Sequence, residues 1–197
     1  MQLNRNLRAL VRNFGQIVLI LISSFSGATH SKGVIVIGDS LSAMEDSWPS
    51  YVTGHHMGLI VQGGRSIRDF DAPRDILAGL PFTTVIYFLG SNDAAQGYPT
   101  HRAHLQFKAH MELLNSRRFN VVVILPPHFT KSPYDEENFT KLRREMTAIC
   151  QKMKLVCYDS MEVWDNNLVI KDGVHPSPEL SRKVGHWLQG IIDAKEK

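Results

Sequence analysis

Cysteine is scarce in this chain of 197 residues, which contains two, Cys150 and Cys157. Neither has the spacing of a redox Cys-x-x-Cys motif or of a zinc site. The two thiols could form a disulfide in an oxidising compartment, or they could remain buried and unpaired. The sequence leaves both possibilities open, and it predicts no metal site.

The chain also has no large excess of either charge. It contains 22 lysines and arginines and 19 aspartates and glutamates, for a net charge of +3. Basic and acidic residues alternate along the chain, and no long basic block occurs. The chain has no finger-like Cys/His spacing and no aromatic pattern typical of RNA-binding domains. This composition argues against a nucleic-acid partner.

The chain lacks internal repeats, low-complexity segments and any glycine-rich phosphate-binding loop after a predicted strand. The last absence argues against a nucleotide-binding module, which needs such a loop to hold phosphates. The composition, with 43% hydrophobic and 21% charged residues, is that of an ordinary globular protein. The length suits one domain with a substantial core.

The N-terminal segment differs from the rest. Three arginines precede an uncharged stretch over residues 14–28, which ends in small residues. This pattern predicts a signal peptide over residues 1–28, cleaved after Ala28, and a folded domain over residues 31–197. The alternative is an uncleaved N-terminal membrane anchor, although the apolar stretch is shorter than the ~20 residues that span a bilayer. Either way, we expect an exported domain, periplasmic or secreted, or one anchored outside the cytoplasm.

Five apolar runs alternate with segments of helical periodicity, which predicts parallel strands joined by right-handed crossovers. We therefore expect a three-layer α/β/α domain with a five-stranded parallel sheet in the flavodoxin-like order 2-1-3-4-5. The predicted strands cover residues 34–37, 57–61, 84–89, 119–125 and 155–158. The predicted helices cover residues 43–53, 66–80, 100–118, 135–153 and 178–194.

Polar residues follow the first three predicted strands where each strand ends. Ser40 stands just past the first strand and opens a helix, Gly63 and Gly64 follow the second strand, and Asn92 follows the third. Because ligands of open α/β sheets bind at the carboxyl ends of the strands, these residues should share a site. Backbone N–H groups at a helix start would also favour negative charge beside Ser40.

The motifs resemble those of the SGNH, or GDSL, hydrolase family over essentially the whole chain after the leader. Residues 38–41, Gly-Asp-Ser-Leu, resemble its first block, and Gly-Gly-Arg-Ser at 63–66 its second. Gly-Ser-Asn-Asp at 90–93 and Asp-Gly-Val-His at 172–175 resemble the third and fifth. The second block is the loosest match, because Gln62 stands where many members have asparagine. Its Gly-Arg-Ser is similar to that of carbohydrate acetylesterases.

The resemblance implies a serine esterase that needs neither metal nor cofactor. Ser40 would be the nucleophile, His175 the general base and Asp172 its partner. The N–H groups of Ser40 and Gly64 and the amide of Asn92 would form the oxyanion hole.

Small acyl groups on a sugar or glycan are the expected substrate, because the loops at the active edge are short and rich in polar residues. Asp39, Arg65 and His128 are the predicted substrate contacts, and Phe129 offers an aromatic face for a sugar ring. His128 is also the rival candidate for the catalytic histidine. A lysophospholipase or thioesterase, and a catalytically silent carbohydrate-binding relative, are the alternative functions. Membrane association through the leader is possible, and the sequence leaves the oligomeric state open.

Overall fold

The computed structural model describes residues 33–71, 82–96, 99–117, 119–129 and 136–195. Its centre is a five-stranded parallel sheet in the order β2-β1-β3-β4-β5, which confirms the predicted topology. The strands are β1 Gly33–Gly38, β2 His56–Val61, β3 Phe82–Phe88, β4 Asn120–Leu125 and β5 Cys157–Asp159. Each strand overlaps a predicted one.

Helices connect the strands and follow the last one. They are α1 Ser40–Ala43, α2 Ser91–Ala95, α3 Thr100–Ser116, α4 Glu136–Met153 and α5 Pro178–Lys195. The predicted start of α5 is confirmed: the Ser177 hydroxyl accepts a hydrogen bond from the Leu180 N–H, and Pro178 is the first helical residue. No helix among the described residues combines the length and apolarity of a membrane span.

The sheet is covered on both faces. All six residues of β1 are buried, which a parallel strand achieves only when helices lie above and below it. Helices α3 and α4 pack against each other, and α5 packs against the short 3-10 helix Trp48–Tyr51. The result is the three-layer α/β/α architecture expected from the sequence. Trp48 is buried in the core, and its indole N–H donates to the Ser42 hydroxyl at 3.0 Å.

The segment after β1 differs from the prediction of one helix over residues 43–53. It forms the single turn α1 and then, after an extended Met44, the 3-10 helix that contains Pro49. Two serine hydroxyls nearby donate to backbone carbonyls, Ser47 to that of Met44 and Ser50 to that of Glu45. Such local bonds compete with helix formation, and proline removes a helical donor.

The next predicted helix, over residues 66–80, falls mostly outside the described residues. Its first part, residues 66–71, is not helical. The side chain of Asp93 holds this segment in place, because it accepts hydrogen bonds from the N–H groups of Ile67 and Arg68.

Cys150 and Cys157 form a disulfide, the possibility that the sequence left open. The bond joins the last turn of α4 to the first residue of β5, with the two Cα atoms 6.1 Å apart. It fixes the end of α4 to an edge strand of three residues.

Candidate active site

Ser40 lies at the carboxyl edge of the sheet, two residues after the end of β1. Its neighbour Asp39 is the N-cap of α1, and the Asp39 carboxylate accepts a hydrogen bond from the Leu41 N–H at 3.0 Å. The Ser40 hydroxyl is half-buried and lies 2.9 Å from Nε2 of His175. Because α1 has only four residues, the backbone N–H groups of its single turn matter here more than a helix dipole.

His175 is held by Asp172 in a tight turn before α5. Nδ1 of His175 lies 2.6 Å from Oδ2 of Asp172, while the other oxygen, Oδ1, accepts from the N–H groups of Val174 and His175 at 2.9 Å. Gly173 has a φ of +76°, a left-handed conformation that glycine adopts at no steric cost. This turn brings the carboxylate back onto the imidazole only three residues later.

The three side chains form one hydrogen-bonded chain, Asp172–His175–Ser40. A carboxylate on Nδ1 favours the tautomer that carries its proton there, which leaves the Nε2 lone pair facing the Ser40 hydroxyl. Burial is the largest single effect and raises the pKa of Asp172, but the hydrogen bonds from His175 and Val174 and the nearby His175 charge together outweigh it and lower the pKa. The carboxylate thus stays ionised over a wide pH range.

Gly64 and Asn92 follow the two strands that flank β1. The register pairs Gly38 with Val61 of β2 and with Phe88 of β3, so the three strands end side by side. Gly64 is solvent-exposed with a φ of +73°, and Asn92 is half-buried at the start of α2. The fold therefore brings the loops of all three predicted oxyanion donors to the same edge of the sheet.

Asn92 is oriented by the neighbouring loop. One N–H of its amide donates to the Arg65 carbonyl at 2.9 Å. An amide nitrogen carries two donors, so this bond fixes the side chain and leaves the second N–H for a ligand. The bond also joins the loop after β3 to the loop after β2, which contains Gly64.

Asp93 is a site residue whose role the sequence analysis missed. It is 2% exposed and accepts from the Ile67 N–H at 2.7 Å and from the Arg68 N–H at 3.2 Å. Burial raises its pKa in spite of these hydrogen bonds and the Arg68 charge. One feature of the sequence could have indicated this role. Asp93 directly follows Asn92 at a strand end, where an acidic side chain can accept hydrogen bonds from the N–H groups of a neighbouring loop.

Two predicted substrate contacts lie in the interior. Asp39 is fully buried, and Arg65 is 7% exposed. The Arg65 guanidinium donates to the Ile60 carbonyl and the Gln62 side chain and lies 4.7 Å from the centre of the Phe70 ring. These groups hold Arg65 within its own loop, and its contact with substrate stays a prediction.

His128 follows β4, and its ring packs edge-on against Phe139. Oε1 of Glu136 lies 3.9 Å from Nε2 of His128. The His128 side chain is half-buried and accessible. The Ser40 hydroxyl is bonded to His175 and not to this rival. Phe129 is buried at 3% exposure between Phe139 and Trp164, so the predicted aromatic sugar platform is part of the core.

Within the described part of the chain, no group of three or more His, Cys, Asp or Glu side chains could hold a metal ion. His110 lies in α3 and is 3% exposed. Its ring bonds the Tyr87 hydroxyl at 2.9 Å and the Phe70 carbonyl at 2.7 Å.

Solved structures share this architecture. A lipolytic protein of the G-D-S-L family from Desulfitobacterium hafniense has a TM-score of 0.69 at 22% identity, covering 81% of this chain and 99% of that one. A carbohydrate acetylesterase from Sinorhizobium meliloti has a TM-score of 0.69 at 18% identity, covering 83% and 99%. The native aryl esterase of M. smegmatis has a TM-score of 0.63 at 20% identity, covering 83% and 99%.

At these identities, of 18 to 22%, the similarities show the fold of the chain. The chain has the SGNH hydrolase fold, as its sequence motifs predicted. No protein-family profile matches the chain, and no curated protein sequence does.

Proposed function

We propose that the protein is a serine ester hydrolase. The observation that carries this proposal is the hydrogen-bonded chain from Asp172 through His175 to the Ser40 hydroxyl, at a sheet edge shared with Gly64 and Asn92. A serine hydroxyl needs an adjacent base to become a nucleophile, and the base needs a group that orients it. The fold shared with esterases supports the same assignment.

In the first half of the proposed reaction, Ser40 Oγ attacks the acyl carbon while its proton passes to Nε2 of His175. The negative oxygen of the tetrahedral intermediate meets the N–H groups of Ser40 and Gly64 and the free N–H of Asn92. When the ester bond breaks, the imidazolium gives its proton to the leaving alcohol, and the acyl group remains on Ser40. Asp172 stabilises the imidazolium throughout.

In the second half, water attacks the acyl-enzyme and gives its proton to His175. The acyl group leaves as a carboxylic acid, and the proton returns to Ser40. Each step uses only groups of this chain and water.

A small acyl group on a sugar or glycan is the substrate we propose. Polar residues near the site are exposed or half-buried, namely Asn92, Gln96 and His128, and the apolar Met161 beside His128 is also exposed. Such surroundings suit a hydroxylated carrier, and a carbohydrate acetylesterase shares the fold.

We further propose that the domain acts outside the cytoplasm, because of the predicted leader and the disulfide between Cys150 and Cys157. Disulfides persist mainly in oxidising compartments. The leader itself, residues 1–28, lies outside the described residues.

A fluorophosphonate probe tests the proposed activity, since it reacts with an activated serine. The native protein should be labelled on Ser40, and Ser40→Ala should abolish labelling and hydrolysis of p-nitrophenyl acetate. Ser42→Ala is a matched control, because Ser42 is a buried serine two residues away whose hydroxyl serves Trp48. A native protein that resists the probe and binds glycans would instead be the silent relative.

A further inference from the structure

The carboxyl group of Asp39 lies deeper than its capping role requires. Other aspartates cap short helices in the same way: Asp159 accepts from the Met161 N–H and Asp165 from the Asn167 N–H. Both of these aspartates are partly exposed, whereas Asp39 is fully buried. Capping a single turn does not explain why a carboxyl group is withdrawn completely from water, which is costly.

The second oxygen of Asp39 indicates what the burial serves. Oδ2 is buried and has no hydrogen-bond partner in the structure, and the same is true of the Ser91 hydroxyl. Asp39 and Ser91 follow β1 and β3, whose ends the register places side by side, and the Ser91 hydroxyl lowers the pKa of Asp39 against the larger, raising effect of burial. A hydrogen bond between them would satisfy both groups at once, because a hydroxyl can donate to a carboxylate oxygen.

Ser91 is the first residue of α2, and the next residue is Asn92. Asn92 in turn donates to the Arg65 carbonyl, and the charge of Asp39 raises the pKa of Arg65, opposing the larger effect of burial. The side chain of Asp39 therefore lies where the loops after β1, β2 and β3 meet. Each of these loops supplies one of the proposed oxyanion donors.

We propose that Asp39 is a positioning residue, whose Oδ2 shares a hydrogen bond with the Ser91 hydroxyl and so holds Ser40 and Asn92 at a fixed separation. This inference rests on the proposed esterase function. Oδ1 fixes the turn that presents Ser40, through the Leu41 N–H, and Oδ2 fixes the start of α2. The reacting ester would contact Ser40 and Asn92, but not Asp39.

Two substitutions at Asp39 test the role. Asp39→Ala removes both hydrogen bonds, so kcat for p-nitrophenyl acetate should fall at least about 30-fold while KM changes less than about threefold, since small displacements of reacting groups cost this much. Asp39→Asn keeps an acceptor for Leu41 and a donor for Ser91, so its kcat should stay within about threefold of wild type. An inactive Asp39→Asn or a fully active Asp39→Ala would overturn the proposal.

Ser91→Ala tests the other end of the hydrogen bond, and it remains informative if Asp39→Ala fails to fold. It should lower kcat about 5- to 10-fold, and the Asp39→Asn/Ser91→Ala double variant should be no worse than Ser91→Ala alone, because both act through one contact. Unchanged kcat in Ser91→Ala would refute the shared hydrogen bond.

Asp165→Ala is the matched control, because it removes the same kind of cap from the 3-10 helix Asn166–Leu168. Asp165→Ala should lower the melting temperature without lowering kcat. If it lowered kcat as much as Asp39→Ala does, the effect at Asp39 would be explained by loss of a helix cap alone. Failure of the esterase function gives a different result, namely no hydrolysis by the wild type or full activity in Ser40→Ala. An active wild type, an inactive Ser40→Ala and an unaffected Asp39→Ala would refute only the positioning role.

Discussion

The two nitrogens of His175 have different partners, and this difference supports its assignment as the base. Nδ1 is hydrogen-bonded to the Asp172 carboxylate and Nε2 to the Ser40 hydroxyl. The ring therefore links the carboxylate that orients it to the hydroxyl proton that it would accept as the base. His128 faces Phe139 and the side chain of Glu136 instead. The residue type alone could not decide which of the two histidines is the base, whereas the contacts of each side chain favour His175.

His175→Ala should therefore lower kcat at least about a hundredfold, and adding Ser40→Ala should make little difference, because residues that act as a unit are not additive. His128→Ala should alter KM more than kcat. Steady-state kinetics of the four proteins measure both effects. An inactive His128→Ala beside an active His175→Ala would reverse the assignment.

Asp39 also makes a prediction about stability. Burial is the main cause that raises its pKa from 3.8 to about 7, which the hydrogen bonds from Leu41 and Ser91 only partly oppose. The folded protein then binds this proton more tightly than the unfolded chain does. The resulting stabilisation is complete below pH 3.8 and is lost as the pH rises to about 7.

Asp39→Asn cannot ionise, so its free energy of unfolding relative to wild type should increase by a few kcal/mol between pH 4 and pH 8. Urea unfolding at several pH values measures this difference. Asp172→Asn is the control of opposite sign: the pKa of Asp172 is lowered, so the wild type should gain stability relative to this variant as the pH rises. A difference between Asp39→Asn and wild type that does not vary with pH would contradict the prediction.

At the scale of elements, the sequence predicted strands better than the loops that connect them. Continuous apolar runs are typical of strands buried on both faces, so the five strands and the positions of Ser40, Gly64 and Asn92 at their ends could be read from the pattern. The turn that carries Asp172 and His175 was also readable, because its residues are local in sequence.

What the sequence could not show depends on contacts between distant segments. Asp93 organises residues 66–71 across 26 positions of the chain, and no local pattern reveals that its carboxylate is aimed at the Ile67 N–H. The burial of Arg65 and Phe129 could not be predicted for the same reason. Arginine and aromatic residues in polar loops are expected to be exposed unless contacts with distant segments bury them. By contrast, Pro49 is a local feature that argues against one continuous helix over residues 43–53.

The disulfide joins two elements and makes a testable contribution. Cys150 and Cys157 are separated by 7 positions, so the bond closes a short loop. Such a loop is expected to add about 2–3 kcal/mol to the free energy of unfolding, mainly by restricting the unfolded chain. The Cys150→Ser/Cys157→Ser variant should therefore unfold at lower urea concentration.

The same variant should keep its kcat at temperatures well below unfolding, because neither cysteine belongs to the hydrogen-bonded chain of the site. Wild-type protein treated with a reducing agent should behave like the double variant, whereas the reductant should not change the double variant itself. Equal stability of the oxidised wild type and the variant would show that the bond adds nothing.

At the scale of the whole molecule, the predicted leader makes a prediction about where a mature chain would begin. If a secretory host cleaves after Ala28, the exported protein should start at Thr29. Intact-mass measurement of protein from the extracellular or periplasmic fraction tests this. An intact N-terminus on protein recovered from the membrane fraction would favour the anchor.

Acyl length is the property in which the proposed sugar esterase and a lipase-like enzyme differ most. A long acyl chain gains about 0.8 kcal/mol for each buried CH₂ group only if an extended apolar surface receives it. The side chains near the site offer little such surface, because Asn92, Gln96 and His128 are polar and Met161 is an exposed apolar residue beside His128. Added CH₂ groups would therefore stay mostly in water and contribute little to transition-state binding.

We accordingly expect kcat/KM on p-nitrophenyl esters to be highest from acetyl to butyryl and to fall for longer chains. Acetylated sugars should be better substrates than lysophospholipids at equal concentration below the micellar range. Ser40→Ala, assayed on every ester, corrects for spontaneous hydrolysis, which is fastest for the short esters. If kcat/KM instead rose steadily to octanoyl and beyond, an apolar acyl site would have to exist, and the lysophospholipase or thioesterase function would replace the one proposed here.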